Sequence, residues 1–240
     1  MQTMLMSKKL FSELSALPDM PAERKRYALL TSGKKTLLNL AVTAFMCGMQ
    51  TGIYSLIQLI QFSSLYLPSL PADDYIPFIP FFVVPYVLFY AYLPSVPVYI
   101  SRKNAHDFKK YVIVWAAVLS VCSIAHIVYP TYVIRAEVTG AGFFDRLVSL
   151  VYSIDGTTNC LPSVHCATAW LCFIGLRGRS EVKMPVKAAS FLFSLLICLS
   201  TVFIKQHWLL DVITAIAVSE LFWAAAGKCV RFFSDDGFGA

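Results

Sequence analysis

Charged side chains are scarce in this chain of 240 residues, since Asp, Glu, Lys and Arg together make up 14% of it. An ordinary soluble domain is about a quarter charged, whereas hydrophobic residues here reach 58%. The net charge of +6 does not indicate a nucleic-acid partner, because the basic residues lie in short gaps between apolar runs. We therefore expect the chain to bind a lipid bilayer and no nucleic acid.

Cysteine patterns typical of metal sites are also missing. The seven cysteines form no CxxC pair, and none is spaced from a histidine as in a zinc finger. Most lie inside apolar runs, where cysteine behaves as a small hydrophobic residue. The sequence thus predicts no disulfide framework and no metal site, and we expect no cofactor. The charged N-terminal segment does not resemble a signal peptide.

Six apolar runs approach or exceed the roughly 20 residues that a membrane-spanning helix needs. They cover residues 36–61, 76–100, 111–134, 161–176, 188–204 and 207–227. The second run contains several prolines, which predict a bent helix. The chain is therefore expected to be an all-α integral membrane protein with six transmembrane helices. Its parts would be a cytoplasmic segment (1–35), a membrane domain (36–228) and a cytoplasmic tail (229–240).

The connections between the runs carry most of the polar residues. The longest connection, residues 135–160, contains a stretch at 143–154 in which apolar residues recur at helical spacing. This spacing predicts a short amphipathic helix in the membrane interface. Residues 101–110 read as a charged loop, and Asp73 and Asp74 are expected to face water.

The distribution of Lys and Arg predicts the orientation in the membrane. Cytoplasmic loops carry an excess of these residues, and with six spans all but three of the 20 lie on the side of the two termini. We therefore expect both termini to lie in the cytoplasm. We further expect the protein to lie in the plasma membrane, with its active site on the extracytoplasmic face. The exceptions, Arg135, Arg146 and Lys205, lie on the outer side and need another explanation.

One candidate site at the outer face is a histidine–carboxylate pair. His207 and Asp211 are four residues apart and would share one face of a helix. A carboxylate that accepts the proton of one imidazole nitrogen leaves the other nitrogen as a base or nucleophile. The alternative is a pair that only packs helices together. Placing ionisable groups within a membrane costs free energy, so a functional role of the pair is favoured over packing alone.

A second histidine segment enters the fourth apolar run. Pro162 suits the first turn of a helix, so the N–H groups of Ser163 and Val164 are expected to point outward and bind an anion. Ser163 adds a hydroxyl group, and His165 adds a proton donor. An ordinary helix start is the alternative for this segment taken alone. Two such segments on one membrane face favour an anion site.

These residues resemble motifs of the type 2 phosphatidic acid phosphatase superfamily of membrane lipid phosphatases and lipid phosphotransferases. The residues that match its second and third motifs are Pro162, Ser163, His165, Ser200, His207 and Asp211. The first motif, Lys-x6-Arg-Pro, is matched only at Arg135, because Val128 and Ala136 replace its lysine and proline. Thr201 replaces an arginine of the third motif, and Lys205 lies close by.

The resemblance implies a metal-independent double displacement. His207 would attack phosphorus to form a phosphohistidine while Asp211 orients its ring. His165 would protonate the leaving lipid oxygen and then activate the acceptor. The residues expected to bind the phosphoryl oxygens are Arg135, Ser163 and Lys205.

The resemblance leaves the reaction partly open. Its first implication is hydrolysis of a lipid phosphate or diphosphate, such as phosphatidate or a polyprenyl diphosphate. A phosphate monoester carries about two negative charges and a diester about one, so the missing basic residues point to a second candidate. That candidate is transfer of a phospho-headgroup between lipids, as in sphingomyelin and inositol-phosphorylceramide synthases. A non-catalytic transporter or scaffold is the third, and intact His165, His207 and Asp211 argue against it.

Overall fold

The structure, a computed structural model, describes the backbone of residues 21–235 and the side chains of residues 33 and 35–227. The described α-helices are α1 (Pro21–Gln58), α2 (Val83–Lys103), α3 (Ala105–Val128), α4 (Phe143–Ile154), α5 (Val164–Arg177), α6 (Met184–Phe203) and α7 (Leu209–Asp235). Two short 3-10 helices, Pro71–Tyr75 and Pro80–Phe82, precede α2. Within the described residues, extended pairing is limited to two isolated bridges. The expected all-α class is confirmed for this part of the chain.

Several helices are long and apolar enough to cross a membrane. The five segments are Lys35–Gln58, Pro80–Lys103, Ala105–Val128, Met184–Phe203 and Leu209–Gly227. The chain is thus a multi-pass membrane protein. The run at 161–176 gives α5, which has only 14 residues and is about 21 Å long at about 1.5 Å per residue. Because the hydrocarbon core is about 30 Å thick, α5 does not confirm a sixth span.

The short helix α5 lies at the centre of the bundle. It contacts α2, α3, α6 and α7, and small buried residues such as Ala167 and Ala169 allow the neighbouring backbones to approach closely. A Cβ atom added to Gly175 would lie 2.8 Å from the Tyr111 ring. Protein therefore surrounds α5 on most sides, and this packing fixes the position of its N-terminus.

The connection between α2 and α3 is shorter than expected. Asn104 alone separates the two helices, so the predicted loop at 101–110 is wrong. The Asn104 Oδ1 accepts hydrogen bonds from the N–H groups of His106, at 2.9 Å, and Asp107, at 3.2 Å. This cap satisfies amides that have no partner inside the helix, which is why a new helix can begin at once.

The short helix predicted between the third and fourth runs is confirmed as α4. Val148 and Val151 on one side of α4 are buried in a cluster with Tyr86 and Ile204. Leu150 on the other side is exposed. This amphipathic packing attaches the long connection to the start of α2 and to the end of α6.

Both ends of the predicted membrane domain extend further as helix than expected. Residues 1–20 and 236–240 lie outside the described residues, so most of the segment 1–35 and the last five residues of the tail lie there too. Helix α1 already begins at Pro21, and α7 continues to Asp235. Ala, Glu, Lys and Arg are good helix formers, so a helix continues past the end of an apolar run.

Candidate active site

The structure brings His165, His207 and Asp211 together at the N-terminal ends of α5 and α7. The ring centroids of the two histidines are 6.3 Å apart. The Ser163 N–H, at the start of α5, donates to the Asp211 carbonyl at 3.2 Å, which couples the two helix starts directly. The three residues expected to be catalytic thus lie in one site, within the compact unit that begins at Val42.

His207 and Asp211 form the expected pair, although His207 lies two residues before α7 begins. The His207 Nδ1 is 3.1 Å from Asp211 Oδ2, and an ionised carboxylate only accepts, so the ring nitrogen donates. The same oxygen accepts the Trp208 N–H at 2.9 Å. Burial lowers the pKa of His207, but the hydrogen bond and charge of Asp211, together with the nearby Cys166 and Asp155, raise it, and the pKa lies above its ordinary value.

Aromatic residues of α2 hold the ring of His165. The Tyr86 ring is stacked on it at 4.8 Å, and the Phe89 ring lies at the same centroid distance. The Tyr90 hydroxyl is 3.3 Å from His165 Nε2. The Tyr86 hydroxyl donates to Asp155 Oδ2 at 2.5 Å. Sequence reasoning missed these neighbours, because no local spacing connects them to the histidine.

The start of α5 differs from the prediction. Pro162 precedes the helix, and Ser163 is its N-cap, with Oγ accepting an N–H of the first turn at 3.3 Å. Ser163 is completely buried, and its own N–H is bound to Asp211. The expected anion contact at the Ser163 amide is therefore wrong. The first-turn N–H groups of Val164 and His165 have no partner inside an α-helix, and they are the amides suited to an anion here.

Arg135 is placed as a clamp between two segments of the site. Its guanidinium donates to the carbonyls of Tyr152, Asp155 and Gly156, each at 2.7 Å. It also donates to the Gln206 side chain at 2.8 Å. These bonds tie the end of α4 to the residue before His207. Arg135 was expected to bind phosphate, but these N–H groups donate to oxygens of the protein.

Lys205 is likewise bound to the protein. Its Nζ donates to the Ile76 carbonyl at 2.6 Å and to the Asp73 carbonyl at 3.4 Å. Its φ of 53° lies in the left-handed region, which non-glycine residues adopt at a cost. This conformation turns the chain from α6 toward α7 so that the N–H of His207 reaches the Thr201 carbonyl at 3.1 Å. Lys205 therefore helps to place His207.

Asp73 supports the helix that carries Asp211. The expectation that Asp73 faces water is wrong, because it is 2% exposed. Its Oδ1 accepts the N–H of Leu209, the first residue of α7, at 2.9 Å, and its Oδ2 accepts the N–H of Leu70 at 2.8 Å. Asp74 is exposed as expected. Only the fold brings Asp73 to a helix end more than a hundred residues away in sequence.

Cys160 joins the site through space. One ligand atom from each of Cys160, His207 and Asp211 lies within 4.8 Å of the others, which makes these residues a candidate group of metal ligands. The sequence predicted no metal site, because Cys160 has no short spacing to either partner.

Comparison of the sequence with models of known protein families finds no match, and no curated protein matches it. The function of the site must therefore be inferred from its residues and their geometry.

Proposed function

We propose that this membrane protein hydrolyses a lipid phosphate or diphosphate through a phosphohistidine formed on His207. The observation that carries the proposal is the Asp211-bound His207, at 3.1 Å, with a second histidine ring 6.3 Å away. An oriented nucleophile and an adjacent proton donor are the two groups that a double displacement requires. The resemblance to the type 2 phosphatidic acid phosphatase superfamily supports the same chemistry.

In the first step, the lone pair of His207 Nε2 attacks phosphorus, and the bond from phosphorus to the lipid oxygen breaks. Protonated His165 gives its proton to that oxygen. The Asp211 carboxylate stabilises the positive charge that the His207 ring acquires. In the second step, neutral His165 takes a proton from water while the water oxygen attacks phosphorus. The bond from phosphorus to nitrogen then breaks and releases phosphate.

The phosphoryl oxygens need donors during both steps. We assign this role to the N–H groups of Val164 and His165, because the N-terminus of a helix favours anions. The Tyr90 hydroxyl, next to His165, is a further donor. Arg135 and Lys205 are bound to carbonyl oxygens, so we assign them to positioning His207.

Headgroup transfer between lipids is the second candidate. Arg135 and Lys205, which were expected to bind phosphate, donate hydrogen bonds to oxygens of the protein instead. The Asp155 carboxylate contacts Tyr86, which is stacked on His165. With fewer basic groups free to bind the substrate and a carboxylate nearby, the site favours a singly charged diester over a doubly charged monoester. The first step is the same, and a lipid hydroxyl replaces water in the second.

The proposal includes a membrane orientation. The Lys and Arg distribution supports cytoplasmic termini and an outward-facing site, and we assign the protein to the plasma membrane. Helix α5 would be the sixth membrane-embedded helix, and its burial among α2, α3, α6 and α7 makes its short length tolerable, since it has little contact with lipid.

The test is phosphate release from a panel of lipids by detergent-purified protein in the presence of a chelator. We expect release from monoesters or diphosphates, and a loss on the order of 10³-fold or more in His207→Ala. His106→Ala is the matched control, because the His106 side chain is 65% exposed and outside the site. Headgroup exchange without phosphate release would favour the second candidate. Neither activity on any lipid would overturn both.

A further inference from the structure

We propose that Cys160, His207 and Asp211 form a binding site for a thiophilic divalent ion such as Zn²⁺, and that the bound ion blocks the nucleophile. Their ligand atoms lie within 4.8 Å of one another. Cys160 and Asp211 are 2% and 0% exposed, whereas His207 is 8% exposed. An ion would therefore enter from the side of His207.

One oxygen of Asp211 points to a missing ligand. Oδ2 is bound by His207 and Trp208, but among the described residues Oδ1 has no hydrogen-bond partner although it is buried. A buried carboxylate oxygen normally has at least one partner, and an exception requires an explanation. A metal ion coordinated by this carboxylate is such an explanation.

The backbone around Cys160 is fixed before any ion binds. The N–H groups of Cys160 and Leu161 both donate to Thr131 Oγ1, at 3.2 and 3.0 Å. The preceding residue, Asn159, has a φ of 62°, which makes a sharp turn. The Cys160 sulfur is only weakly engaged, with the Thr157 carbonyl at 3.5 Å. The thiol is therefore held near the pair and remains available as a ligand.

The spacing of the pair suits a tetrahedral ion. Two ligand atoms bound at about 2.0 Å in a tetrahedral zinc site lie about 3.3 Å apart, and His207 Nδ1 and Asp211 Oδ2 are 3.1 Å apart. An ion can thus replace the proton that these atoms share, and an Asp211 carboxylate that also binds it through Oδ1 supplies the missing partner of that oxygen. The Cys160 sulfur then moves toward the ion to bind it. Sulfur, nitrogen and oxygen ligands together favour Zn²⁺ over Mg²⁺ and Ca²⁺, which prefer oxygen.

Coordination moves protons in a defined way. The Cys160 thiol releases its proton to solvent, and its sulfur binds as a thiolate. A neutral His207 ring coordinated through Nδ1 carries its remaining proton on Nε2. That nitrogen is the proposed nucleophile, so the ion abolishes attack on phosphorus without contacting the substrate. This inhibition rests on the proposed function, whereas the metal site itself does not.

The binding test uses the metal-free full chain in detergent, titrated with Co²⁺ as a spectroscopic probe. We expect one equivalent to bind with a thiolate-to-cobalt charge-transfer band. Cys160→Ser should lose the band and bind Zn²⁺ at least tenfold more weakly, and Asp211→Asn should also bind it more weakly. Cys47→Ser, at a half-buried cysteine of α1 outside the cluster, should keep the wild-type spectrum. A thiolate band that persists in Cys160→Ser, or is absent from the wild-type protein, would overturn the site.

The inhibition test measures phosphate release with and without Zn²⁺. We expect Zn²⁺ to inhibit the wild-type protein, a chelator to restore it, and Cys160→Ser to need at least tenfold more Zn²⁺ for the same inhibition. Equal inhibition of both proteins would overturn the block. A cobalt band that depends on Cys160 in a protein without phosphoryl-transfer activity would support the metal site and refute the proposed function.

Discussion

Tyr86 donates its hydroxyl proton to Asp155 at 2.5 Å, and this bond links α2 to the end of α4 beside the site. The ring of the same tyrosine is stacked on His165 at 4.8 Å. Asp155 thus fixes the ring that supports the proposed proton donor. It also places a carboxylate beside the ring that contacts His165.

Replacing Asp155 should change the preference between substrates. A charge pair near a protein surface interacts by about 4 kcal/mol at 4 Å, and by less at longer range. We therefore expect Asp155→Asn to raise kcat/KM for doubly charged monoesters relative to singly charged diesters by roughly tenfold. Asp74→Asn, at an exposed carboxylate, is the control. An unchanged ratio in Asp155→Asn would show that its charge does not select the substrate.

The pH dependence of activity should reflect the raised pKa of His207. Attack requires neutral His207 and protonated His165, so kcat/KM should be bell-shaped with pH, with one limb set by the His207 pKa, which lies above the ordinary value of 6.5. The Asp211 carboxylate contributes to the raised pKa by stabilising the imidazolium, so Asp211→Asn should shift the His207 limb to lower pH while reducing the maximal rate. A pH profile of kcat/KM for both proteins checks this. A profile in Asp211→Asn with both limbs at the wild-type pH values would refute the assignment.

Asp73→Ala should destabilise the start of α7. The change removes the acceptor of the Leu209 N–H and of the Leu70 N–H, and loss of such a cap costs about 1–2 kcal/mol. Thermal unfolding in detergent should therefore begin at a lower temperature. Asp74→Ala, in the same 3-10 helix, should unfold like the wild-type protein. Equal stability of the two variants would contradict the capping role.

The Arg135→Lys variant distinguishes between two roles of Arg135: a clamp that holds segments of the site together and a direct ligand of the substrate phosphate. A lysine keeps the charge but cannot donate to several carbonyls in fixed directions. If Arg135 is a clamp, the variant should lose thermal stability and kcat, with little change in KM. Arg146→Lys is the control, because the exposed Arg146 makes one bond to the Ala141 carbonyl, at 3.1 Å. A raised KM with unchanged stability would restore the direct phosphate role of Arg135.

The sequence by itself determined the all-α membrane class and the pairing of His207 with Asp211. Both are local properties, because apolar runs set the spans and a spacing of four residues sets the pair. The amphipathic period likewise determined α4. Prediction failed where two local rules compete. The charged stretch at 101–110 was predicted to be a loop but is mostly helix, because Asn104 caps the start of α3. Pro162 was predicted in the first turn of α5 but lies before the helix, because Ser163 is the N-cap residue.

Only the tertiary structure decided what each charged or polar side chain of the site does. Arg135 and Lys205 carry charges that suit phosphate, but carbonyl oxygens brought near them by folding accept their hydrogen bonds first. The burial of Asp73 and the approach of Cys160 to His207 depend on contacts between segments far apart in sequence. Such contacts are set by the packing of whole helices, and no local spacing encodes them.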